Sequence, residues 1–227
     1  MTLITPKMAY IANLPLYYMP LCLSADVGLP GTGKTAFAVL KGIQAYCRGA
    51  KLYSNVIIHD EFGNDLRAED GRLDADDPGE CLAQLEDVFR DIRDNESWNE
   101  LRYLILDEFS SIADSQTWKN HSWTSQIWKQ LAKLNFTGDA IDQNFSRIYN
   151  GWRDLVVYKY VITDVDINGS FVPKPWCNVV LGKQSPNDHT RYTRVSDFYI
   201  NLSLVYDFYL RHQLMYFDKK GGKNGKR

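Results

Sequence analysis

The sequence predicts a three-layer α/β domain with a mainly parallel central sheet. Three features carry that reading: apolar runs too short to be helices, amphipathic stretches of helical period between them, and a glycine-rich turn where the first run meets the first helix. With 227 residues and 44% apolar content, the chain can bury a sizeable core, and its length suits a single domain. We assign that domain to residues 1–215 and a flexible basic tail to residues 216–227.

The elements follow in order. Leu21 to Ala25 is a short apolar run ending in the glycine-rich turn, the pattern of a buried parallel strand. Beyond the turn, Ala36, Val39, Leu40, Ile43 and Tyr46 or Cys47 recur at helical spacing, and Gly49 marks the stop. Lys51 to Ile58 alternates and becomes β-branched, giving a second strand joined to the first by a crossover helix. Asp60 to Asp77 has few apolar residues and two glycines, so it reads as an exposed loop. Asp77 suits an N-cap and Pro78 a first turn, opening a helix with Leu82, Leu85, Val88, Phe89 and Ile92 on one face. Tyr103 to Leu106 is a central strand that ends at Asp107 and Glu108. Trp118, Trp123, Ile127, Trp128, Leu131 and Leu134 suggest broken helical packing, in which the tryptophans serve core or subunit interface rather than base stacking. Phe136 to Asp142 forms another strand ending at Gln143, and Val156 to Ile162 a further one. Ser170 to Arg194, with Pro173, Pro175 and Pro186, reads as strands and loops.

Composition narrows the function classes. A net charge of −2 lacks the overall excess of Lys and Arg expected of a nucleic-acid binder. Between Asp60 and Glu80, nine acidic residues face only Arg67 and Arg72, a local balance of −7 that leaves +5 elsewhere. Part of that surplus lies in Lys219 to Arg227, with five basic residues and three glycines; this tail either contacts phosphates or serves as a solubilising terminus. Cys22, Cys47, Cys81 and Cys177 lie far apart, without a CxxC pair or a histidine at ligand spacing, so neither a zinc site nor a disulfide framework is expected and a reducing cytoplasmic setting fits. Met8 to Leu23 is interrupted by Asn13, Pro15 and Pro20, and reads as neither signal peptide nor membrane span. No other window approaches the roughly 18 apolar residues a spanning helix needs, so solubility is expected.

The chemistry concentrates in Gly28-Leu29-Pro30-Gly31-Thr32-Gly33-Lys34-Thr35, a complete G-x-x-x-x-G-K-[ST] between predicted strand and predicted helix. Glycines let the backbone fold into a nest of N–H donors around phosphate oxygens, and the helix N-terminus adds its positive dipole end. Lys34 then reaches the β- and γ-phosphates and Thr35 offers its hydroxyl to Mg²⁺, which predicts binding of ATP with that ion. Asp107, at a strand's carboxyl end, can hold the Mg²⁺ shell. Glu108, one residue on, can orient and polarise the attacking water. Gln143 either senses the γ-phosphate or caps the next helix. Arg147 and Arg153 are candidates for an arginine acting in trans, or for surface ion pairs.

The stretch from Gly28 to Asn55, GLPGTGKTAFAVLKGIQAYCRGAKLYSN, resembles the opening of zonular occludens toxin (Zot)-like ATPases, including the short RG…SN return into the second strand. LILDEFSSI, the strand ending in Gln143 and FSRIYNGWRDL resemble later parts of the same group, with VYDFY at Val205 to Tyr209 a fainter echo. That group belongs with FtsK and HerA ATPases and the genome-packaging ATPases of double-stranded DNA viruses. The resemblance implies a RecA-like (ASCE) P-loop NTPase that forms a homo-oligomeric ring, a hexamer, hydrolysing ATP to move double-stranded DNA or extrude a virion, with a capsid or assembly partner. The filamentous-phage members carry a membrane span that this sequence does not show, which favours packaging over extrusion. An AAA+ replication or helicase-loader ATPase and a non-hydrolysing nucleotide switch remain alternatives. A P-loop kinase is disfavoured because no arginine-rich lid segment is visible.

Overall fold

A computed structural model describes residues 4–73, 77–95, 99–112, 131–148, 150–167 and 170–209. Eight strands, β1 (Leu23–Val27), β2 (Lys51–Ser54), β3 (Arg67–Arg72), β4 (Arg102–Leu106), β5 (Phe136–Asp142), β6 (Val156–Ile167), β7 (Ser170–Ser185) and β8 (Asp188–Asn201), form one sheet. Their order is β3-β2-β4-β5-β1-β6-β7-β8. The pairings from β3 through β6 are parallel, and β7 and β8 add antiparallel strands at one edge. Helices α1 (Pro6–Ala12) and α2 (Lys34–Tyr46) pack on one face, and α3 (Pro78–Asp94) and the short α4 (Phe109–Ile112) on the other. The predicted three layers are therefore present, with a P-loop connection from β1 into α2.

Local sequence explains the central elements. Every residue of β1, β4 and β5 is buried, as expected for parallel strands covered on both sides. From Ala36 to Ala45, α2 is buried throughout. Asp77 caps α3 by accepting from the N–H groups of Gly79 (2.8 Å) and Glu80 (3.1 Å), satisfying donors that the first helical turn leaves open. Leu82, Leu85, Val88, Phe89 and Ile92 are all buried, and the Phe89 ring meets Phe136 of β5 edge-on at 5.3 Å.

The acidic stretch is the main correction. Residues 67–72 are not loop but the edge strand β3, paired with β2 at Leu52↔Arg67 and Ser54↔Arg72. An edge strand needs little apolar content when its outer side carries charge. Leu66 and Leu73 anchor its ends in the interior, and a Cβ on Gly71 would overlap the Leu52 carbonyl. Asp60 is buried as well, accepting from the N–H groups of Phe62 and Asn64 and from Asn64 Nδ2.

Smaller differences concern strand ends. β1 starts at Leu23 because Leu21 has a φ of 57°, incompatible with extended backbone. β2 stops at Ser54, four residues before the predicted end, because the Asn55 side chain takes over its pairing. β6 continues to Ile167, beyond Ile162. Opposite it, β7 steps from Cys177 to Val172 between the neighbouring positions Asp164 and Val165. That step passes Pro173 and Pro175, which lack ladder donors. Trp118, Trp123, Trp128 and the tail from Lys219 lie outside the described residues. All four cysteines are free thiols, and no helix among the described residues is long and apolar enough to cross a membrane.

Candidate functional site

β1, β4 and β5 are adjacent and parallel, so their carboxyl ends converge on one rim of the sheet. Ligands gather at that rim in open parallel sheets. From β1 the chain enters the glycine loop. A Cβ on Gly28 would run into the Ile162 carbonyl of β6, and one on Gly33, whose φ is 98°, would lie 2.5 Å from Leu202 Cδ1. Both positions therefore demand glycine, the first for space and the second for space and backbone sign. Thr32 Oγ1 and Lys34 Nζ donate to the Leu29 carbonyl at 2.9 and 3.0 Å, so the lysine curls over its own loop. Burial lowers the Lys34 pKa, against the opposing pull of Asp107, Asp142 and Glu108.

From β4 comes Asp107. Its Oδ2 accepts from Thr35 Oγ1 at 2.7 Å, and its Oδ1 from the Glu108 N–H at 2.9 Å. Burial raises the Asp107 carboxyl above the usual carboxylate range, although the Thr35 hydroxyl and the Glu108 N–H draw it down. A hydroxyl and a desolvated carboxylate in contact supply hard oxygens of the kind Mg²⁺ takes, so Thr35 and Asp107 fit that ion. Glu108 is exposed, and its φ of 50° puts a residue with a Cβ in the left-handed region, which costs about 1–2 kcal/mol. Desolvation and then the Asp107 charge raise its carboxyl.

Two residues of the rim escaped the sequence reading. Asn55, just past β2, accepts from the Asp107 N–H at 2.8 Å and donates to the Asp107 carbonyl at 3.0 Å. Its side chain thus extends the sheet ladder and fixes the peptide that carries Asp107. Asp142, the last residue of β5, accepts from the N–H groups of Ser110 (2.9 Å) and Asn144 (3.2 Å). It ties the loop after Asp107 and Glu108 to the segment after β5. The available signal was position alone: a polar side chain at the carboxyl end of a strand beside the loop.

Gln143 is exposed, one residue beyond β5. Arg147 closes a 3₁₀ turn at Phe145–Arg147, and Arg153 ends the short helix α5 (Asn150–Arg153), with Nη1 reaching the Ser146 carbonyl at 3.4 Å. Structure thus brings Lys34, Thr35, Asp107 and Glu108 together, with Gln143, Arg147 and Arg153 on the segment that Asp142 ties to them.

No protein-family model and no curated protein matches the chain. Among solved structures it is similar to the N-terminal domain of zonular occludens toxin from Neisseria meningitidis, at 15% identity and a TM-score of 0.49, over 85% of this chain and 100% of that one. It is also similar to a helicase ATPase domain, at 11% identity and a TM-score of 0.42, over 78% of this chain and 85% of that one.

Proposed function

We propose that this chain is a Mg²⁺-dependent ATPase that moves double-stranded DNA, working as a homo-oligomeric ring in viral genome packaging or virion assembly inside the host cell. The observation that carries the nucleotide chemistry is the 2.7 Å contact between Thr35, at the start of α2, and Asp107, at the end of β4, with Glu108 next to it. Gly28, Leu29, Pro30, Gly31, Thr32 and Gly33 offer backbone to the phosphates, and Lys34 exchanges the Leu29 carbonyl for a phosphate oxygen. Thr35 and Asp107 would hold Mg²⁺, which when bound neutralises charge on the phosphates. Glu108 accepts a proton from the attacking water, and its raised pKa makes it a better base at neutral pH than an ordinary glutamate. Gln143 is assigned to sensing the terminal phosphate, and Arg153 to stabilising transition-state charge across a subunit boundary. The DNA and packaging assignments draw on the likeness of Gly28 to Asn55 and of LILDEFSSI to Zot-like and packaging ATPases.

Steady-state ATP hydrolysis by the wild type and by Glu108→Gln, with and without double-stranded DNA, tests this reading. We expect DNA-stimulated turnover by the wild type, and retained ATP binding with turnover reduced roughly 10²–10⁴-fold in the variant. Binding without hydrolysis by the wild type under every DNA condition would replace the motor with a nucleotide switch. Turnover stimulated only by a helicase or other replication partner would favour the loader.

A further inference from the structure

Beneath the phosphate loop, on the α2 face of the sheet, lies a charged cluster that the site does not use. Lys41 Nζ meets Asp26 Oδ1 at 2.8 Å and Asp139 Oδ1 at 2.6 Å, and all three side chains are closed to solvent. Asp139 also accepts from Ser24 Oγ, and through Oδ2 from the Tyr103 hydroxyl at 2.5 Å. The ammonium sits 4.2 Å from the Tyr160 ring centroid and 4.7 Å from that of Phe37. Asp26 Oδ2, by contrast, meets no hydrogen-bond partner.

One buried cation thus serves two carboxylates. A dry interior tolerates a charge only when it is paired and hydrogen-bonded, so the cluster carries one negative charge more than its surroundings can hold. The donors decide which carboxyl gives way. Asp139 receives three, from Lys41, Ser24 and Tyr103, and stays ionised, whereas Asp26 receives Lys41 alone.

We propose that Asp26, Lys41 and Asp139 are positioning residues that brace the phosphate-loop helix against β1 and β5, and that the brace is intact only while Asp26 keeps a proton. The placement is direct. Asp26 lies two residues before Gly28, and Lys41 lies seven residues, about two turns, below Lys34 on the same side of α2. The cluster therefore joins the strand and the helix between which the loop is strung.

The groups facing Asp26 are Lys41 with Phe37 on α2, Asp139 on β5, Tyr103 on β4 and Tyr160 on β6; Lys34 and Asp107 act from farther off. Burial pushes the Asp26 carboxyl up to about 8, Lys41 opposes the rise and Asp139 adds to it. Ionisation would place a second negative charge behind a loop that must accept phosphates, so protonation and nucleotide binding favour each other. This coupling rests on the nucleotide reading above; the shared proton does not.

The folded state holds a proton that the unfolded chain has lost, so stability falls as pH rises from the ordinary carboxylate range towards about 8 and is flat above it. Thermal melts of the wild type and of Asp26→Asn from about pH 5 to about pH 9 read this directly. We expect the wild-type melting temperature to fall relative to the variant across that window; parallel curves would overturn the proposal. Should Asp26→Asn not fold, infrared spectra of the wild type decide: a protonated-carboxyl stretch that persists at about pH 7 and vanishes above about pH 9 supports the shared proton, and its absence overturns it. Calorimetric titration with Mg·ATP near pH 8, in two buffers of different ionisation enthalpy, supplies the functional arm. Proton uptake is expected for the wild type and none for Asp26→Asn, with wild-type Kd rising up to about tenfold per pH unit above about 8. Equal uptake by both overturns the coupling. If neither binds ATP at any pH, the nucleotide reading fails while the melts still decide the shared proton.

Discussion

Lys34 and Lys41 leave α2 about two turns apart, and each has carboxylates in its surroundings. Lys41 is closed to solvent and spends its ammonium on Asp26 and Asp139 at 2.8 and 2.6 Å. Lys34 is partly open, and its hydrogen bond goes to the Leu29 carbonyl of its own loop, although Asp107, Asp142 and Glu108 lie near enough to influence it. One lysine is consumed by the fold and the other is held in reserve by it. The same residue type on one helix takes opposite duties because the sheet rim ends between them: below the rim a charge needs a fixed partner, and at the rim it can exchange a weak partner for a ligand.

The sharpest way to break this comparison is to remove each charge in turn. Lys41→Met leaves two buried carboxylates without their cation, which costs about 3–5 kcal/mol, a loss of roughly 6–20 °C in Tm for a chain of this size. Lys34→Met should melt within about 0.5 kcal/mol of the wild type and yet lose nucleotide binding, measured by titration with Mg·ATP. Equal melting temperatures for the two variants would show that the lower cluster is no structural anchor.

Gly28→Ala comes next. Its new Cβ meets the Ile162 backbone carbonyl rather than a movable side chain, so we expect a destabilisation of about 1–3 kcal/mol in denaturant melts, together with weakened ATP binding. Asn55→Ala removes both hydrogen bonds to the Asp107 peptide and should cost about 1–2 kcal/mol in stability. Because that peptide carries the carboxylates, the loss in kcat should exceed the loss in ATP affinity; an unchanged kcat would reduce Asn55 to a structural role. The smallest effect belongs to the surface pair of Lys51 and Glu100, at 2.8 Å but with both side chains more than two-fifths exposed. Glu100→Gln should shift stability by less than about 1 kcal/mol, and a larger shift in a urea melt would mean that the exposed charges matter more than the Lys41 cluster implies.

Much of the central sheet was legible in the chain. β4 and β5 are apolar or small-residue runs whose length excludes helices, and α3 announces itself through Asp77, Pro78 and five apolar residues on one face. The P-loop was legible because its glycines are forced by contacts that every such loop makes with its own helix and neighbouring strand. β3 was hidden, since an edge strand at the margin of a sheet can be charged and still pair through its backbone. Asp60 was hidden for a related reason: its partners, Phe62 and Asn64, are local, but its burial depends on the chain folding back over it.

By itself, the sequence determined the alternation of strands and helices and the loop from Gly28 to Thr35, because both rest on local period and on steric demands written within a few residues. Only the tertiary structure decided that Asn55 and Asp142 grip the Asp107 loop and that Lys41 is shared by Asp26 and Asp139. These groups stand 15 to 98 residues apart along the chain, and nothing in local pattern distinguishes them from surface polar residues. Their meaning comes from parallel strand order, which sets distant carboxyl ends side by side and removes water from the space between.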